Sequence, residues 1–135
     1  MLQQSLDKLK SSIKLRSTYD NFIGGEWVKP VGSAYFDNIS PITGKPVCKV
    51  ARGQAADIEL ALDAAHKAKD AWGRASVAER AVVLEKIADR IAQNLDVLAL
   101  VETIDNGKPI RETTAADMPL AIDHFNRHPV VHTWT

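Results

Sequence analysis

The first third of the chain carries short apolar runs separated by turn-forming residues. Phe22-Ile23 and Trp27-Val28 flank Gly24-Gly25, and a pair of glycines accepts the positive φ angles of a tight hairpin turn. Two further runs, Tyr35–Ile39 and residues 47–50, have the apolar spacing of half-buried strands. The pattern predicts a β-hairpin and short strands in this part of the chain.

From residue 54 onward, apolar residues recur every three or four positions, which is typical of helices that bury one face. The first predicted helix covers residues 55–72 and ends at Gly73. Its apolar residues fall on one face, which we expect to pack against the other elements: Ile58, Ala61, Leu62, Ala65 and Trp72.

A second helix begins after Ser76, which is expected to form a capping box with Glu79. Its apolar stripe consists of Leu84, Ile87, Ala88, Ile91 and Leu95. Asn94 marks a break before a third helix. Gly107 stops that helix and Pro109 follows, in the usual order of residues at a helix C-terminus.

The last predicted helix covers residues 111–126 and carries the apolar residues Ala116, Leu120, Ile122 and Phe125. Pro119 lies within it and lacks a backbone N–H, so it should kink the helix or mark its first turn. The predicted fold class is therefore α/β. A hairpin and short strands are followed by three to four mainly antiparallel helices, which pack their stripes on one another and on the hairpin.

Composition narrows the possible partners. The chain has 135 residues, of which 17 are Lys or Arg and 17 are Asp or Glu, so its formal net charge is zero. Such a surface has no overall attraction for nucleic acid or for an anionic membrane, and no apolar run reaches the roughly 18–20 residues of a membrane span. We expect neither partner. The single cysteine excludes an internal disulfide and favours a reducing, cytoplasmic compartment.

Residues 1–18 form a separate segment. Leu2, Leu6, Leu9 and Ile13 recur at helical spacing with basic residues between them. The segment is interpreted as an arm that is helical or disordered. A transit peptide is the alternative, but such peptides favour Arg and avoid acids, whereas this segment is rich in Lys and contains Asp7.

Two groups of residues are candidates for chemistry. Cys48 is the candidate nucleophile, but in a strand Lys49 points to the opposite face, so a small buried side chain is the favoured role of Cys48. His124, His128 and His132 have the spacing of a metal-binding helix face, but Pro129 should end the helix before the third. A native metal site is disfavoured there.

Other catalytic patterns are missing from the sequence. It contains no G-x-G-x-x-G, no phosphate-binding G-x-x-x-x-G-K-[ST] and no H-E-x-x-H, and no Ser/His/Asp triad can be placed by spacing. From the residues alone, the chain is a globular α/β or mostly helical piece without a recognisable active site.

The order of four motifs resembles the opening segment of the aldehyde dehydrogenase superfamily. They are residues 19–28 (Y-D-N-F-I-G-G-E-W-V), residues 37–44 (D-N-I-S-P-I-T-G), Ala71-Trp72 followed by Ala78-Glu79-Arg80, and residues 102–109 (E-T-I-D-N-G-K-P). Residues 121–125 (A-I-D-H-F) are similar to the bacterial, NAD-dependent branch that acts on acetaldehyde and other small aldehydes.

The resemblance implies a family fragment. Residues 19–125 would be part of the N-terminal, NAD-binding domain, and residues 126–135 a divergent tail, as if the chain were truncated after about residue 125. Most of the parallel nucleotide-binding sheet would be missing. The family's cofactor loop, acidic general base and thiol nucleophile come later, so no catalytic and no cofactor-binding residue is expected here. NAD or NADP would be the cofactor of full-length relatives only.

Two minor sites follow from the resemblance. The carbonyl of Ile39 and the carboxylate of Asp105 match positions that hold a monovalent cation in some relatives. Leu120 matches the side that lines the aldehyde tunnel, although packing is its favoured role.

The leading hypothesis is a truncated NAD(P)-dependent aldehyde dehydrogenase that is inactive alone. The first alternative is a small interaction protein that associates with itself or with intact relatives, because its apolar faces lack part of their burial partner. The second alternative is a helical binding module that uses the histidine tail.

Overall fold

A computed structural model describes the backbone of residues 15–131 and the side chains of residues 15–126. The described residues fall into two compact units that divide after Lys69, and each unit is presented by itself. Most of the predicted arm and the final residues, His132 among them, lie outside the described part.

The first unit contains the predicted hairpin. Strands β2 (Asn21–Ile23) and β3 (Glu26–Val28) pair antiparallel. Gly24 and Gly25 form the turn with φ angles of 62° and 90°. Both angles are positive, as in the two-residue turn that matches the twist of a hairpin, so the prediction is confirmed.

Three further strands form a second sheet. Strands β4 (Tyr35–Ile39) and β5 (Pro46–Ala51) pair antiparallel, with a register shift between Asn38 and Ile39. Strand β1 (Thr18–Tyr19) pairs parallel with β5, so the strand order is β1-β5-β4. The sequence does not predict β1, because a two-residue strand carries no periodic signal of its own.

Helix α1 (Ala55–Arg74) follows the sheet, and two expectations about it are wrong. The helix continues through Gly73, which has no positive φ and therefore does not act as a helix-ending glycine. The face that carries Ile58 and Leu62 is exposed, whereas Asp57 is buried and Ala61 and Ala64 are half-buried. Helical spacing alone does not reveal which face meets the rest of the unit.

The second unit consists of helices. The capping box precedes α2 (Val77–Gln93): the Glu79 N–H donates to Ser76 Oγ at 3.2 Å, and the Ser76 N–H donates to Glu79 Oε2 at 2.7 Å. Asn94 separates α2 from α3 (Leu95–Asn106). Gly107 then ends α3 with a φ of 82°, and its N–H donates to the Thr103 carbonyl. These predictions are confirmed.

The final helical region is irregular. A short α4 (Ile110–Glu112) leads into a π-helix (Thr113–Asp117), and α5 runs over Met118–Val131. Pro119 lies in the first turn of α5, and a first-turn position is one of the two alternatives that the sequence predicts. The ring of a proline clashes with the carbonyl four residues before it, and the wider π turn relieves this clash. The Met118 N–H accordingly donates to the Thr113 carbonyl, five residues back.

The expected end of this last helix near residue 126 is wrong, because α5 continues past Pro129 to Val131. A proline near the C-terminal end removes one hydrogen bond and bends the backbone locally, and the remaining helix tolerates this.

The buried apolar side chains of the second unit belong mainly to α3. In the described part they are Ala88, Ala99, Leu100 and Ile104. Helix α2 packs against α5, and α3 against the π-helix. The hydroxyls of Thr103 and Thr113 are buried and lie 3.0 Å apart. Several expected core positions remain exposed, with Leu120 at 55%.

The two helix-associated glycines should respond in opposite ways to alanine. Gly73 lies in a regular helix with open space around its Cβ position, so Gly73→Ala should raise the free energy of unfolding by roughly 0.5–1 kcal/mol. Gly107→Ala should lower it by about 1 kcal/mol because of the positive φ. Chemical denaturation followed by circular dichroism measures both, and equal effects of the two changes would contradict the assigned backbone.

The buried threonine pair should contribute measurably to the second unit. Thr113 Oγ1 donates to the Ile110 carbonyl, so Thr103 is left as the donor to Thr113. Thr103→Val preserves shape and removes this bond, which should cost about 1 kcal/mol. The control is Thr114→Val, for which a change within about 0.5 kcal/mol is expected. Equal costs for both substitutions in denaturation experiments would show that the hydroxyl pair is energetically silent.

Candidate functional site

A buried carboxylate joins three segments of the first unit. Asp57, in the first turn of α1, is 3% exposed. Its Oδ1 accepts hydrogen bonds from Asn21 Nδ2 at 3.2 Å and from the Val31 N–H at 2.9 Å, and its Oδ2 accepts from the Gln54 N–H at 2.8 Å. The hairpin, the loop that follows it and the start of α1 therefore share one anion.

These donors also set the ionisation of Asp57. The backbone N–H of Gln54, then that of Val31, hold the pKa of this carboxyl below the ordinary aspartate value of 3.8, against the opposing effect of desolvation. The carboxylate is charged and satisfied near neutral pH. With every interaction directed to its own fold, Asp57 is a structural residue and not a general base.

The first concave surface lies between the hairpin and α1, within the first unit, and has a volume of about 670 Å³. Its apolar lining comes from Ile23, Val28 and Leu60, with small residues beside them. Asp63 and Lys67, one turn apart on α1, supply its charged groups. A carboxylate and an ammonium beside an apolar floor can hold a polar or peptide group, but they do not form a nucleophile with a base.

The second concave surface lies between α2 and α3 in the second unit. We call it the α2–α3 groove, and its lining residues are Val83, Lys86, Ile87, Arg90, Ile91, Asn94, Val97 and Leu98. The floor is aliphatic and both charged residues are basic. This chemistry suits an amphipathic segment with acidic side chains better than a small reactive molecule.

The motif over residues 102–109 holds a turn together. Asn106 Nδ2 donates to Glu102 Oε1, and Asn106 Oδ1 accepts from the Lys108 N–H at 2.8 Å. Lys108 Nζ lies 2.7 Å from Asp117 Oδ2, and this bond raises the pKa of the lysine. With the φ of Gly107, these contacts fix the path from α3 to the π-helix.

The structure describes two of the candidate catalytic and metal-binding side chains, Cys48 and His124. Cys48 is half-buried in β5 and Lys49 is exposed, as expected for neighbours on opposite faces of a strand. His124 is exposed on α5, and the side chains of His128 and His132 lie outside the described residues. Among the residues that are described, no three His, Cys, Asp or Glu side chains group as a metal site would require.

The residues expected at the two minor sites fall in different elements. Ile39 ends β4 next to the register shift and belongs to the first unit, whereas Asp105 is exposed in the last turn of α3, in the second. Leu120 is exposed on α5. The cation site and the tunnel role both stay predictions.

Sequence reasoning missed Asp57. An acidic residue in the first turn of a helix is a recognisable signal, because it favours the positive end of the helix dipole. The distant donors Asn21 and Val31, however, carry no sequence signal that connects them to Asp57.

Comparison with known proteins identifies the family. The sequence profile of the aldehyde dehydrogenase family matches residues 27–129, which is most of the chain. The chain therefore belongs to the aldehyde dehydrogenase family, and the resemblance found in the sequence is confirmed.

Relatives and solved structures agree with this family. Aldehyde dehydrogenase B of Escherichia coli (strain K12) is 62% identical over 113 residues, which are 84% of this chain and 22% of that protein. The crystal structure of gamma-glutamyl-gamma-aminobutyraldehyde dehydrogenase from Burkholderia cenocepacia J2315 superposes with a TM-score of 0.88 at 32% identity. The match covers 98% of this chain and 27% of the Burkholderia cenocepacia chain.

A third comparison includes a bound cofactor. The indole-3-acetaldehyde dehydrogenase AldA of P. syringae, solved in complex with NAD+ and IAA, matches with a TM-score of 0.86 and 31% identity. The match covers 95% of this chain and 26% of AldA. The chain thus spans about a quarter of the length of these relatives, and short strands followed by helices are the part of the family fold that it contains. No helix in the described part is long and apolar enough to cross a bilayer.

Acid should weaken the first unit through Asp57. The pKa of Asp57 is lower in the folded state than in the unfolded state. The stabilisation by its charged form is therefore fully present above the unfolded-state pKa, and it is lost as the pH falls through the folded-state pKa. The temperature midpoint of unfolding should therefore decrease as the pH drops below about 4. Asp57→Asn should lower the midpoint at pH 7 and flatten this acid dependence.

The matched control for this titration is Asp63→Asn, an exposed residue of α1 at the border of the concave surface, which should leave the profile unchanged. Glu79, whose pKa is also lowered, is intact in all three proteins and contributes equally. Parallel acid profiles of the wild type and Asp57→Asn would remove Asp57 as the titrating group.

Proposed function

We propose that this chain supplies the opening part of the NAD(P)-binding domain of an aldehyde dehydrogenase. In such an enzyme an aldehyde is oxidised to a carboxylic acid, with hydride transfer to a nicotinamide cofactor. The observation that carries the proposal is the 62% identity over 113 residues to aldehyde dehydrogenase B. Small aldehydes such as acetaldehyde are the proposed substrates, and the cytoplasm is the proposed compartment.

The contribution of these residues is structural in this proposal. Their described polar contacts are directed at the fold itself, as at Asp57 and in the turn around Asn106. The relative AldA was solved in complex with NAD+. In a complete enzyme of this family, we propose that such a cofactor accepts the hydride. We propose that binding of the cofactor and attack on the aldehyde require family segments that this chain does not include.

The chain alone should therefore be inactive. The sequence holds no G-x-G-x-x-G loop, and its one cysteine lies in β5, where the neighbouring Lys49 points to the opposite face of the strand. Purified chain with acetaldehyde and NAD or NADP should give no reduced cofactor above the rate of a Cys48→Ala control. A saturable, thiol-sensitive rate that Cys48→Ala abolishes would refute this expectation.

A chimera tests the scaffold role directly. The matching 113-residue segment of aldehyde dehydrogenase B should be replaceable by that of this chain with retention of aldehyde-dependent NAD(P) reduction. The control chimera carries Gly107→Val, which forces a β-branched residue into a positive φ and should lose folded protein. An unmodified chimera that folds but does not turn over would contradict the proposal.

A second proposed function is self-association. It is supported by exposed apolar side chains on α1, where Ile58 is 58% exposed and Leu62 46%. Apolar side chains that share one exposed helix face can form part of an interaction site. Association with intact relatives is a variant of this proposal.

A further inference from the structure

The exposed face of α1 has the character of a docking helix. Ile58 and Leu62 lie four residues apart and so share one side of the helix. Glu59 and Asp63, also four apart, lie beside them and are exposed, and Asp63 also borders the concave surface between the hairpin and α1. The basic residues Lys67 and Lys69 begin only in later turns, so the first two turns of this face are apolar and acidic.

The α2–α3 groove has the opposite charge. Its aliphatic floor is accessible at Val83, Ile87 and Val97. Lys86 and Arg90, four residues apart on α2, are its charged lining residues, and both are exposed. Arg90 donates to the neutral side chain of Gln93 at 3.3 Å, and this hydrogen bond does not neutralise its positive charge.

We propose that α1 of one copy of this chain docks into the α2–α3 groove of a second copy. The two surfaces match in kind, because each combines aliphatic side chains with one sign of charge. They also match in spacing, since the acidic pair and the basic pair are each separated by one helical turn. This inference rests on the second proposed function and assigns its surfaces.

The contact joins two different surfaces of the chain. Reciprocal docking of two copies gives a closed two-fold dimer, and one-directional docking gives a larger ring or a filament. The mean mass of the full chain should accordingly increase with concentration in sedimentation or light-scattering measurements. The increase should weaken with added salt, which screens exposed charges.

Charge reversal on either surface should weaken the association. Lys86→Glu/Arg90→Glu makes the groove acidic, and Glu59→Lys/Asp63→Lys makes the docking face basic. Each double variant should raise the apparent Kd roughly tenfold or more, because like charges then face each other. All four residues are exposed, and circular dichroism should confirm unchanged helix content.

A mixing experiment gives the sharpest outcome. In an equal mixture of the two double variants, the basic α1 of one faces the acidic groove of the other, and the reverse pair is also complementary. The mixture should therefore associate although neither variant does so alone. The quadruple variant, with all four charges exchanged, should likewise recover association.

Two controls match these changes in charge. Glu85→Lys/Asp89→Lys places the same change on the opposite side of α2, and Lys29→Glu/Lys45→Glu places the reverse change on exposed positions of the first unit. Both controls should associate like the wild type.

The failures of the two proposals are distinguishable. Association that ignores all four charges, or a mixture that does not recover it, overturns the assigned surfaces but leaves self-association standing. A wild-type chain that stays monomeric at every concentration overturns both. Neither result bears on the chimera, which tests the dehydrogenase scaffold.

Discussion

The carboxylate of Asp57 is the interaction on which the first unit depends. Its two strand systems are too short to enclose an apolar interior, and Asp57, Pro30 and Ser40 are the buried residues in its described part. One anion that accepts from the hairpin, the following loop and the start of α1 replaces many weak apolar contacts with three directed ones. This arrangement also ties the unit to pH, because the protonated carboxyl holds the same donors less well.

The second unit is organised by close packing of small groups. Ala88 and Ala99 are buried, and their small side chains let neighbouring helices pack closely. Where α3 meets the π-helix, the buried hydroxyls of Thr103 and Thr113 bond to each other. Much of the remaining apolar surface, including Leu120 and the floor of the α2–α3 groove, is accessible. Both proposed functions concern what covers such surface: further segments of an aldehyde dehydrogenase, or another copy.

The motifs that identify the family have structural explanations in this part of the fold. Gly24-Gly25 supplies a turn that needs two positive φ angles, and Ser76 with Glu79 caps a helix. The turn at residues 102–109 combines a left-handed glycine with two side-chain hydrogen bonds of Asn106 and the Lys108–Asp117 ion pair. Family membership is thus recognisable from residues that shape the backbone.

The sequence by itself determined the elements whose signals are local. The glycine turn, the capping box, the break at Asn94 and the helix end at Gly107 each follow from the conformational preferences of one or two neighbouring residues. The family could be recognised for the same reason, because its motifs lie at these local signals.

Only the tertiary structure decided which surfaces are buried. Helical spacing placed Ile58 and Leu62 on one face of α1, but the buried side of the helix is set by Asp57, whose partners Asn21 and Val31 are 36 and 26 residues away. The pairing of β1 with β5 likewise depends on neighbours in space. Local preference fixes the backbone of an element, whereas burial is a property of what packs against it, and a single helix carries no record of that partner.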